Sequence, residues 1–403
     1  MKKLNRKQFI QLSTLASGAL LVPKFLHSLN SPGLLLNQTS QNILIVIQLG
    51  GGNDGLNTFV PFENDIYYNL RPGIGIKPDS LIRVSDEMGL NPGMKSLERY
   101  FKDGDICVVN NVGYPNPNHS HFRSMDIWQT ASSSTKYVET GWVGRYLDAT
   151  CADCNKAHMA LEVDDSLSLA MKGQYLKGLA MSNPARLYAA SQDPYFKSIV
   201  NASEGKSYKN NIQEYLYKTL IETSDSIGYI FNQSKIYDTT EVYPATGYGN
   251  GLKMIGRLIC SGSETKVYYV TLNGFDTHSH QKNSHEKLLK FFSDGLAALI
   301  NDLKKNDRFN NTLIMAFSEF GRRVEQNGSN GTDHGEANNV ILAGGQLKKK
   351  GFYNKPPDLA NLSDGNLKFE VDFRNIYATI LDKWMKADDV KIIGNEFEKM
   401  DFI

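Results

Sequence analysis

Carboxylates and imidazoles recur at the points where apolar runs of the sequence end. Asp54 follows "ILIVIQLGGGN", Asp276 follows "VYYVTLNGF" and precedes His278 and His280, and Glu319 follows "TLIMAFS". Adjacent parallel strands would bring three carboxylates into the crevice beyond their carboxyl ends, where α/β proteins bind ligands. Because crowded, buried carboxylates repel, such a group needs protons, basic partners or a cation. We therefore predict a divalent metal at this edge, and the glycines before Asp54 would let an ion or substrate approach the backbone.

Histidine usage points to the same chemistry. A solitary histidine is more often an ordinary polar residue than a ligand, but six of the eight histidines crowd into three short polar segments. These are His119 and His121 in "PNHSHFRSMD", His278, His280 and His285 in "DTHSHQKNSH", and His334 in "GTDHG". Mixed imidazole and carboxylate ligands suit zinc, manganese or iron better than calcium. The predicted cofactor is a divalent metal, zinc or manganese, as one or two ions.

A candidate nucleophile lies in "NPNHSHFRSMDIWQTA", residues 116–131, which has the pattern of a helix start. A hydroxyl at a helix N-terminus faces a positive dipole and free N–H groups, which favours a nucleophile and an anionic substrate. Ser120 is the first candidate and Ser124 the second. The alternative is that Ser120 simply caps the helix.

The elements that must position these residues have an α/β pattern. Apolar runs of strand length alternate with helical patterns such as residues 286–305, which predicts a mainly parallel sheet flanked by helices. The runs are residues 42–49, 105–112, 266–275, 311–320 and 338–345. Residues 150–260 are predicted to form a helical insertion or cap, and residues 372–385 an amphipathic closing helix.

Composition excludes some classes of partner. The 403 residues include 44 basic and 43 acidic side chains, a net charge of +1, so nothing indicates binding to nucleic acid or to an anionic membrane. Small-molecule chemistry is the better interpretation. Cys151 and Cys154 form a C-x-x-C, which fits a redox pair, half of a zinc site or a small disulfide loop.

The first 30 residues are predicted to be an export signal. A positive start, "MKKLNRK", precedes a moderately apolar stretch that is too short and too polar for a stable membrane span. "NRKQFI" resembles the twin-arginine pattern, with Lys7 where the second arginine belongs. We expect export machinery to deliver the protein to the periplasm or the exterior.

The motifs "GGNDGLN", "HSHFRSMDIWQTA", "TGWVGRYLD", "GFDTHSHQ", "FSEFGRR", "GTDHG" and "VDFRNIYATIL" closely resemble the exported bacterial family DUF1501. That family is placed in the alkaline phosphatase-like and sulfatase-like superfamily, and the resemblance covers residues 42–403, which we expect to form one alkaline phosphatase-like domain.

The resemblance implies a two-metal site with a nucleophile at a helix start. Asp276, His280 and His334 would hold the principal metal. Asp54 and Glu319 would hold a second, with Ser120 or His121 as a further ligand. Glu319 stands where the superfamily has an Asp-His pair, so this second site would lack its imidazole.

The leading hypothesis is an exported metal-dependent hydrolase of phosphate or sulfate esters, acting on a small molecule or a glycan. Ser120 and His121 would be catalytic, and Arg123 or Arg322 would bind the remaining oxygens of the anion. The alternative is a non-catalytic exported binding protein with a metal-stabilised fold. Phe320, in place of the expected histidine, favours the alternative, whereas the crowding of histidine and aspartate favours the enzyme.

Overall fold

The computed structural model describes residues 42–151, 156–203 and 211–403. The predicted export signal, residues 1–30, lies outside these ranges. The described strands are β1 (Ile43–Gly50), β2 (Phe59–Val60), β3 (Ile82–Arg83), β4 (Gly89–Leu90), β5 (Ile106–Gly113), β6 (Ala160–Glu162), β7 (Leu179–Ala180), β8 (Val267–Asn273), β9 (Thr312–Phe317), β10 (Asn338–Gly344), β11 (Gly351–Phe352) and β12 (Val371–Asp372).

The central sheet has the order β11-β5-β10-β9-β1-β8-β6-β7, with β12 also paired to β5. β1 pairs in parallel with both β8 and β9, and Ile47 lies opposite Val270 on one side and Ala316 on the other. β6 and β7 continue the parallel arrangement, whereas β10 runs antiparallel to β9 and β5. The predicted α/β fold with a mainly parallel sheet is confirmed.

Both faces of the sheet are buried, as the continuous apolar runs predict. Side chains alternate along a strand, so Ile45 and Ile47 of β1 join the core on one face while Leu44 and Val46 join the core on the other. β2, β3 and β4 form a small separate sheet.

Helices cover the two faces. The longest described helix buries Leu289, Phe292, Leu296, Leu299 and Leu303, at alternating steps of three and four residues, against the sheet. The described α-helices are α1 (Gly55–Thr58), α2 (Asp65–Leu70), α3 (Glu98–Asp103), α4 (His121–Thr130), α5 (Trp142–Thr150), α6 (Pro184–Ser191), α7 (Pro194–Ser203), α8 (Asn211–Gln233), α9 (Gly247–Cys260), α10 (Gln281–Lys305), α11 (Phe373–Thr379) and α12 (Asp389–Ile393).

The segment 150–260 is not wholly a helical insertion. Its first part supplies β6 and β7 to the edge of the central sheet, and its last helix, α9, packs against α10 and β8. These two strands have two or three residues each, too short for a periodic pattern to reveal them. The closing helix predicted over residues 372–385 is present as α11, continued by a π-helical turn over Ile380–Trp384.

Two further predictions concern the membrane and the cysteines. No helix in the described part of the chain is both long and apolar enough to cross a bilayer. Cys151 is disulfide-bonded, whereas Cys107 and Cys260 are free. Cys154 lies outside the described residues.

Candidate metal centre

Four segments meet at the carboxyl edge of the central sheet. Because β8, β1 and β9 are parallel neighbours, the loops that follow them end side by side. The loop after β8 carries Asp276, and the loop after β9 carries Glu319. α4 begins at His121, and the loop before β10 carries His334.

Three imidazoles surround one carboxylate oxygen. Asp276 Oδ1 lies 3.1 Å from His278 Nε2, 3.3 Å from His334 Nε2 and 3.4 Å from His121 Nε2. The Nε2 atoms of His278 and His334 are themselves 2.9 Å apart. Ligand atoms of His121, Asp276 and His334 all lie within 4.8 Å of one another, close enough to share one metal ion.

The opposite ring nitrogen of each histidine faces an acceptor. His121 Nδ1 lies 2.8 Å from Glu319 Oε1, and His334 Nδ1 lies 2.7 Å from the carbonyl oxygen of His119. His278 Nδ1 lies 3.2 Å from a carboxylate oxygen of Asp333. These acceptors favour the tautomer of each neutral ring that has its proton on Nδ1, so that Nε2 carries a lone pair.

Three lone pairs and a carboxylate oxygen therefore converge. Neighbouring acceptors of this kind repel unless a proton or a cation lies among them. His121 Nε2 is shielded from solvent and has no hydrogen-bond partner in the structure. Imidazoles oriented through Nδ1 by outer acceptors, together with one carboxylate, are the usual environment of zinc. The residues fit a divalent metal ion.

Protonation equilibria at the centre follow from these contacts. Burial raises the pKa of Asp276, but the hydrogen bond and charge of Arg322 outweigh it and bring the pKa to about 2. The hydrogen bond that His121 donates to the Glu319 carboxylate raises the pKa of His121. Burial lowers the pKa of His334. Asp276 is therefore ionised at neutral pH, and at His121 a proton competes with a metal for Nε2.

Glu319 acts on the centre from behind His121. Its side chain is 1% exposed, and Oε1 accepts from the Gly51 backbone N–H at 2.9 Å as well as from His121. Oε2 accepts from the Ser318 hydroxyl at 3.1 Å. The structure thus places Glu319 against the outer nitrogen of the His121 ring, rather than among the atoms that surround Asp276 Oδ1.

Asp54, predicted as a ligand, lies in a separate buried network. Its carboxylate forms an ion pair with Arg71 at 2.6 Å, accepts from Gln281, and caps α1 through the Asn57 N–H. Burial raises the pKa of Asp54, but the charge of Arg71 and further donors lower it overall. The ion pair takes the place of the metal that the sequence pattern assigned to this carboxylate.

The glycines before Asp54 serve close backbone packing. Gly51 has φ 118°, and a Cβ there would lie 2.4 Å from the backbone nitrogen of Asp276. Gly52 has φ 72°, and its Cβ would lie 2.4 Å from the ring of Phe320. The loop after β1 therefore presses against the segment that carries Asp276, which no larger residue would permit.

The two arginines predicted to bind an anion are engaged by the protein itself. The Arg322 side chain is fully buried and donates to Asp276 Oδ1 at 2.8 Å and to several backbone carbonyls. Arg123 donates to three carbonyls of residues 133–136 and lies 3.9 Å from the ring centre of Tyr137. The recorded hydrogen bonds of both guanidiniums are thus to groups of the protein.

The remaining predicted residues lie at two helix starts. His280 is the N-cap of α10, with φ 47° and an exposed side chain, outside the group around Asp276. Ser120 is the N-cap of α4, is exposed, and makes no side-chain capping bond. Ser124 is buried, shares a hydrogen bond with the Tyr114 hydroxyl and donates to the Asn118 carbonyl.

Two assignments differ between sequence and structure. His278, not His280, lies beside Asp276, and His121, predicted chiefly as catalytic, has the position of a ligand. In the "DTHSH" segment, His278 and His280 follow Asp276 by two and four residues. A step of four would bring side chains together on a helix, but the loop after β8 is not helical before Gln281, so the side chains of Asp276 and His278 can lie on the same side of the loop.

The fold and the site together define an α/β protein with a histidine- and aspartate-lined candidate metal centre at the carboxyl edge of its sheet. The family model described as "Protein of unknown function (DUF1501)" matches residues 106–393. The chain belongs to this family, which confirms the resemblance of its motifs. A comparison with curated proteins gave no significant match.

Several solved structures are similar to this chain at low identity. The C-terminal periplasmic domain of EcEptC from Escherichia coli, in complex with Zn, is 11% identical with a TM-score of 0.38, covering 90% of each chain. The PsFucS1 sulfatase from Pseudoalteromonas sp. is 10% identical with a TM-score of 0.40, covering 99% of this chain and 75% of its own. A protein in the alkaline phosphatase superfamily from Vibrio parahaemolyticus is 10% identical with a TM-score of 0.39, covering 98% of this chain and 78% of its own.

Proposed function

We propose that this chain is an exported, metal-dependent hydrolase of phosphate or sulfate esters whose metal ligands are His121, His278, His334 and Asp276. The observation that carries the proposal is the convergence of three imidazole Nε2 atoms on Asp276 Oδ1, within 3.4 Å. Each ring also has its Nδ1 against an outer acceptor, which is how proteins orient histidines toward a metal.

One ion for each chain is the stoichiometry that we propose. Two carboxylates were expected to hold a second ion, but both already have partners in the protein. Asp54 forms an ion pair with Arg71, and Glu319 accepts hydrogen bonds from His121 and from the Gly51 N–H. A bound zinc or manganese ion would polarise an ester oxygen and stabilise the charge that develops on it.

Ser120 is the proposed nucleophile. It directly precedes His121, its exposed hydroxyl makes no capping bond, and as N-cap it stands before the free N–H groups of α4. Ser124 is a poorer candidate because its hydroxyl is buried and bonded on both sides. Glu319 would hold His121 in the orientation and tautomer that metal binding needs.

Export remains part of the proposal. The positively charged, then apolar N-terminal sequence supports it, and so does the disulfide bond of Cys151, because disulfides persist mainly in oxidising compartments. The substrate that we propose is a small-molecule or glycan ester.

The test is elemental analysis of the purified full chain, combined with a turnover screen on aryl phosphates and aryl sulfates. We expect one zinc or manganese ion per chain and turnover that a chelator abolishes and added metal restores. His278→Ala should lose bound metal, while the matched variant His280→Ala should retain it.

The outcomes separate the hypotheses. Equal metal content in His278→Ala, His280→Ala and the wild type would overturn the proposed ligand set. Bound metal without turnover on a broad ester panel would instead support the alternative of a non-catalytic, metal-stabilised binding protein.

A further inference from the structure

The candidate metal centre is open to solvent. The side chain of Asp276 is 49% exposed and that of His278 is 46% exposed, and Asp333 beside His278 is exposed as well. Sites for small molecules are usually concave and enclose most of the ligand. An ester bound at Asp276 would therefore leave much of its surface uncovered, unless the rest of the substrate were large and bound to the protein around the centre.

Phe122 is an exposed aromatic residue next to the centre. It is 87% exposed and follows His121 in the first turn of α4. Successive residues of a helix are about 100° apart around its axis, so Phe122 lies on the face between His121 and Arg123. His121 contacts Asp276, whereas Arg123 is buried. Helical side chains also lean toward the N-terminal end of their helix, which in α4 is the end at the centre, so the Phe122 ring lies beside the approach to Asp276.

Tyr137 is a second exposed ring at the same helix turn. It is 79% exposed, and the Arg123 guanidinium lies 3.9 Å from its ring centre, within the distance of a cation–π contact. Arg123 also donates to the carbonyls of residues 133, 134 and 136, which ties this loop to α4. The arginine that the sequence predicted to bind an anion therefore holds an aromatic ring from one side, and the rest of that ring is exposed.

Polar groups surround the two rings. The exposed polar side chains of the adjoining segments include Ser120, Ser133, Thr135 and Lys136. An apolar peptide or a lipid would be matched by a continuous apolar surface, not by separate rings among hydroxyl groups. A sugar ring has a flat face of C–H groups, which packs on an aromatic ring, and a rim of hydroxyl groups, which form hydrogen bonds. The mixture of groups at this helix turn matches a sugar.

We infer that the part of the substrate that does not react is a glycan, and that Phe122 and Tyr137 stack on its sugar rings. This inference rests on the proposed function. A single exposed aromatic residue needs no explanation of its own. These two rings, however, lie at the helix turn that also supplies His121 and the proposed nucleophile Ser120, so a chain of sugars whose ester reached the metal would lie against them. The same chain would cover the open side of the centre, which a small molecule could not do.

The test is affinity electrophoresis of the zinc-loaded full chain in native gels that contain chondroitin sulfate, dextran sulfate or dextran phosphate. We expect at least one polysaccharide to retard the wild type. Phe122→Ala and Tyr137→Ala should each bind that polysaccharide about tenfold more weakly, because each loses one stacked ring. Neither substitution changes the net charge, so non-specific attraction of the anionic polymer contributes equally to all variants.

Two matched variants identify the contact. Tyr137→Phe keeps the ring and should bind within about twofold of the wild type. Tyr195→Ala removes another exposed ring, on α7, which is not among the segments of the centre, and it should also bind as the wild type does. All three substituted positions are exposed, so the variants should fold, and equal zinc content would show that the centre is intact in each.

Three results decide the inference. Retardation of the wild type that is weaker in Phe122→Ala and Tyr137→Ala supports it. No retardation by any of the three polysaccharides, or equal retardation of the wild type and both alanine variants, would overturn it. A higher KM for aryl esters in Phe122→Ala with unchanged polysaccharide binding would also overturn it, because the ring would then contact an aromatic group instead of a sugar.

The proposed function fails on separate measurements. Aryl ester turnover that a chelator abolishes, without polysaccharide binding, would leave the hydrolase intact and overturn the glycan assignment. Polysaccharide binding that depends on both rings, without turnover of any aryl or polysaccharide ester, would retain the sugar contacts and overturn the hydrolase.

Discussion

The role of Glu319 can be tested by Glu319→Gln, which keeps the side-chain shape and one oxygen acceptor but removes the charge. In the wild type, Glu319 Oε1 accepts from His121 Nδ1 at 2.8 Å and from the Gly51 N–H at 2.9 Å. A hydrogen bond to a charged group contributes about 1.5–3 kcal/mol and a neutral one about 0.5–1.5 kcal/mol. The substitution should therefore weaken the His121 bond by about 1–1.5 kcal/mol.

That loss corresponds to an about tenfold lower affinity for zinc at about pH 8. Substituting a residue that orients a metal ligand generally lowers metal affinity about ten- to hundredfold, so the expected effect lies at the lower end of that range. Glu319→Ala should lower zinc affinity closer to a hundredfold, because it leaves two partly buried N–H groups without an acceptor and the His121 ring unrestrained. The measurement is competition for zinc with a chromophoric chelator.

Glu162→Gln is the matched control. Glu162 is also a buried carboxylate that accepts from a backbone N–H, that of Ser168, but it does not contact the histidines of the centre. Its substitution should leave zinc affinity unchanged. If Glu319→Gln binds zinc within about twofold of the wild type, the assignment of His121 as a ligand oriented by Glu319 is refuted.

The pH dependence gives a second readout of the same contact. Because Glu319 raises the pKa of His121, a proton competes with zinc at higher pH in the wild type than in Glu319→Gln. The higher zinc affinity of the wild type should therefore decline as the pH falls through the raised pKa of His121. The wild-type affinity divided by that of Glu319→Gln should approach one between about pH 8 and pH 6.

Three further predictions concern the stability of the fold, each measured by urea unfolding. Asp54→Ala leaves Arg71 buried without its partner and should lower the unfolding free energy by about 3–5 kcal/mol at neutral pH, without changing the metal content. Because the pKa of Asp54 is lower in the folded than in the unfolded protein, this contribution to stability should disappear as the pH falls below about 4. Asp302→Ala removes the acceptor of three hydroxyl groups and should cost about 2–4 kcal/mol. Burial lowers the pKa of His158 to about 4, so the unfolding free energy should fall by up to about 3 kcal/mol as the pH drops from about 6.5 to about 4. His158→Phe can still stack on Tyr229 but has no group that titrates, so it should make stability less dependent on pH in this range. Unchanged unfolding midpoints in the first two variants, or an unaltered pH profile in the third, would contradict these assignments.

The main strands could be predicted because a sheet covered on both faces requires continuous apolar runs. β8, β9 and β10 lie within the predicted runs, and β1 and β5 each end one residue beyond theirs. β6 and β7 could not be predicted in the same way, since pairing with the edge of an existing sheet, rather than local pattern, makes these short segments into strands.

The sequence by itself determined that acidic and imidazole side chains follow strands of one parallel sheet, because strand direction puts those loops at one edge. Asp276 was identified in this way, whereas His334, which precedes a strand, was identified by the crowding of the histidines and by the family resemblance. Tertiary contacts decided which neighbours join them. Arg71 pairs with Asp54, and Glu319 turns to His121, since charges that share a buried space pair with whatever opposite charge or donor the fold brings within reach. His278 takes the place predicted for His280 because the direction of a side chain in a non-helical loop depends on the backbone path, which spacing along the chain does not specify.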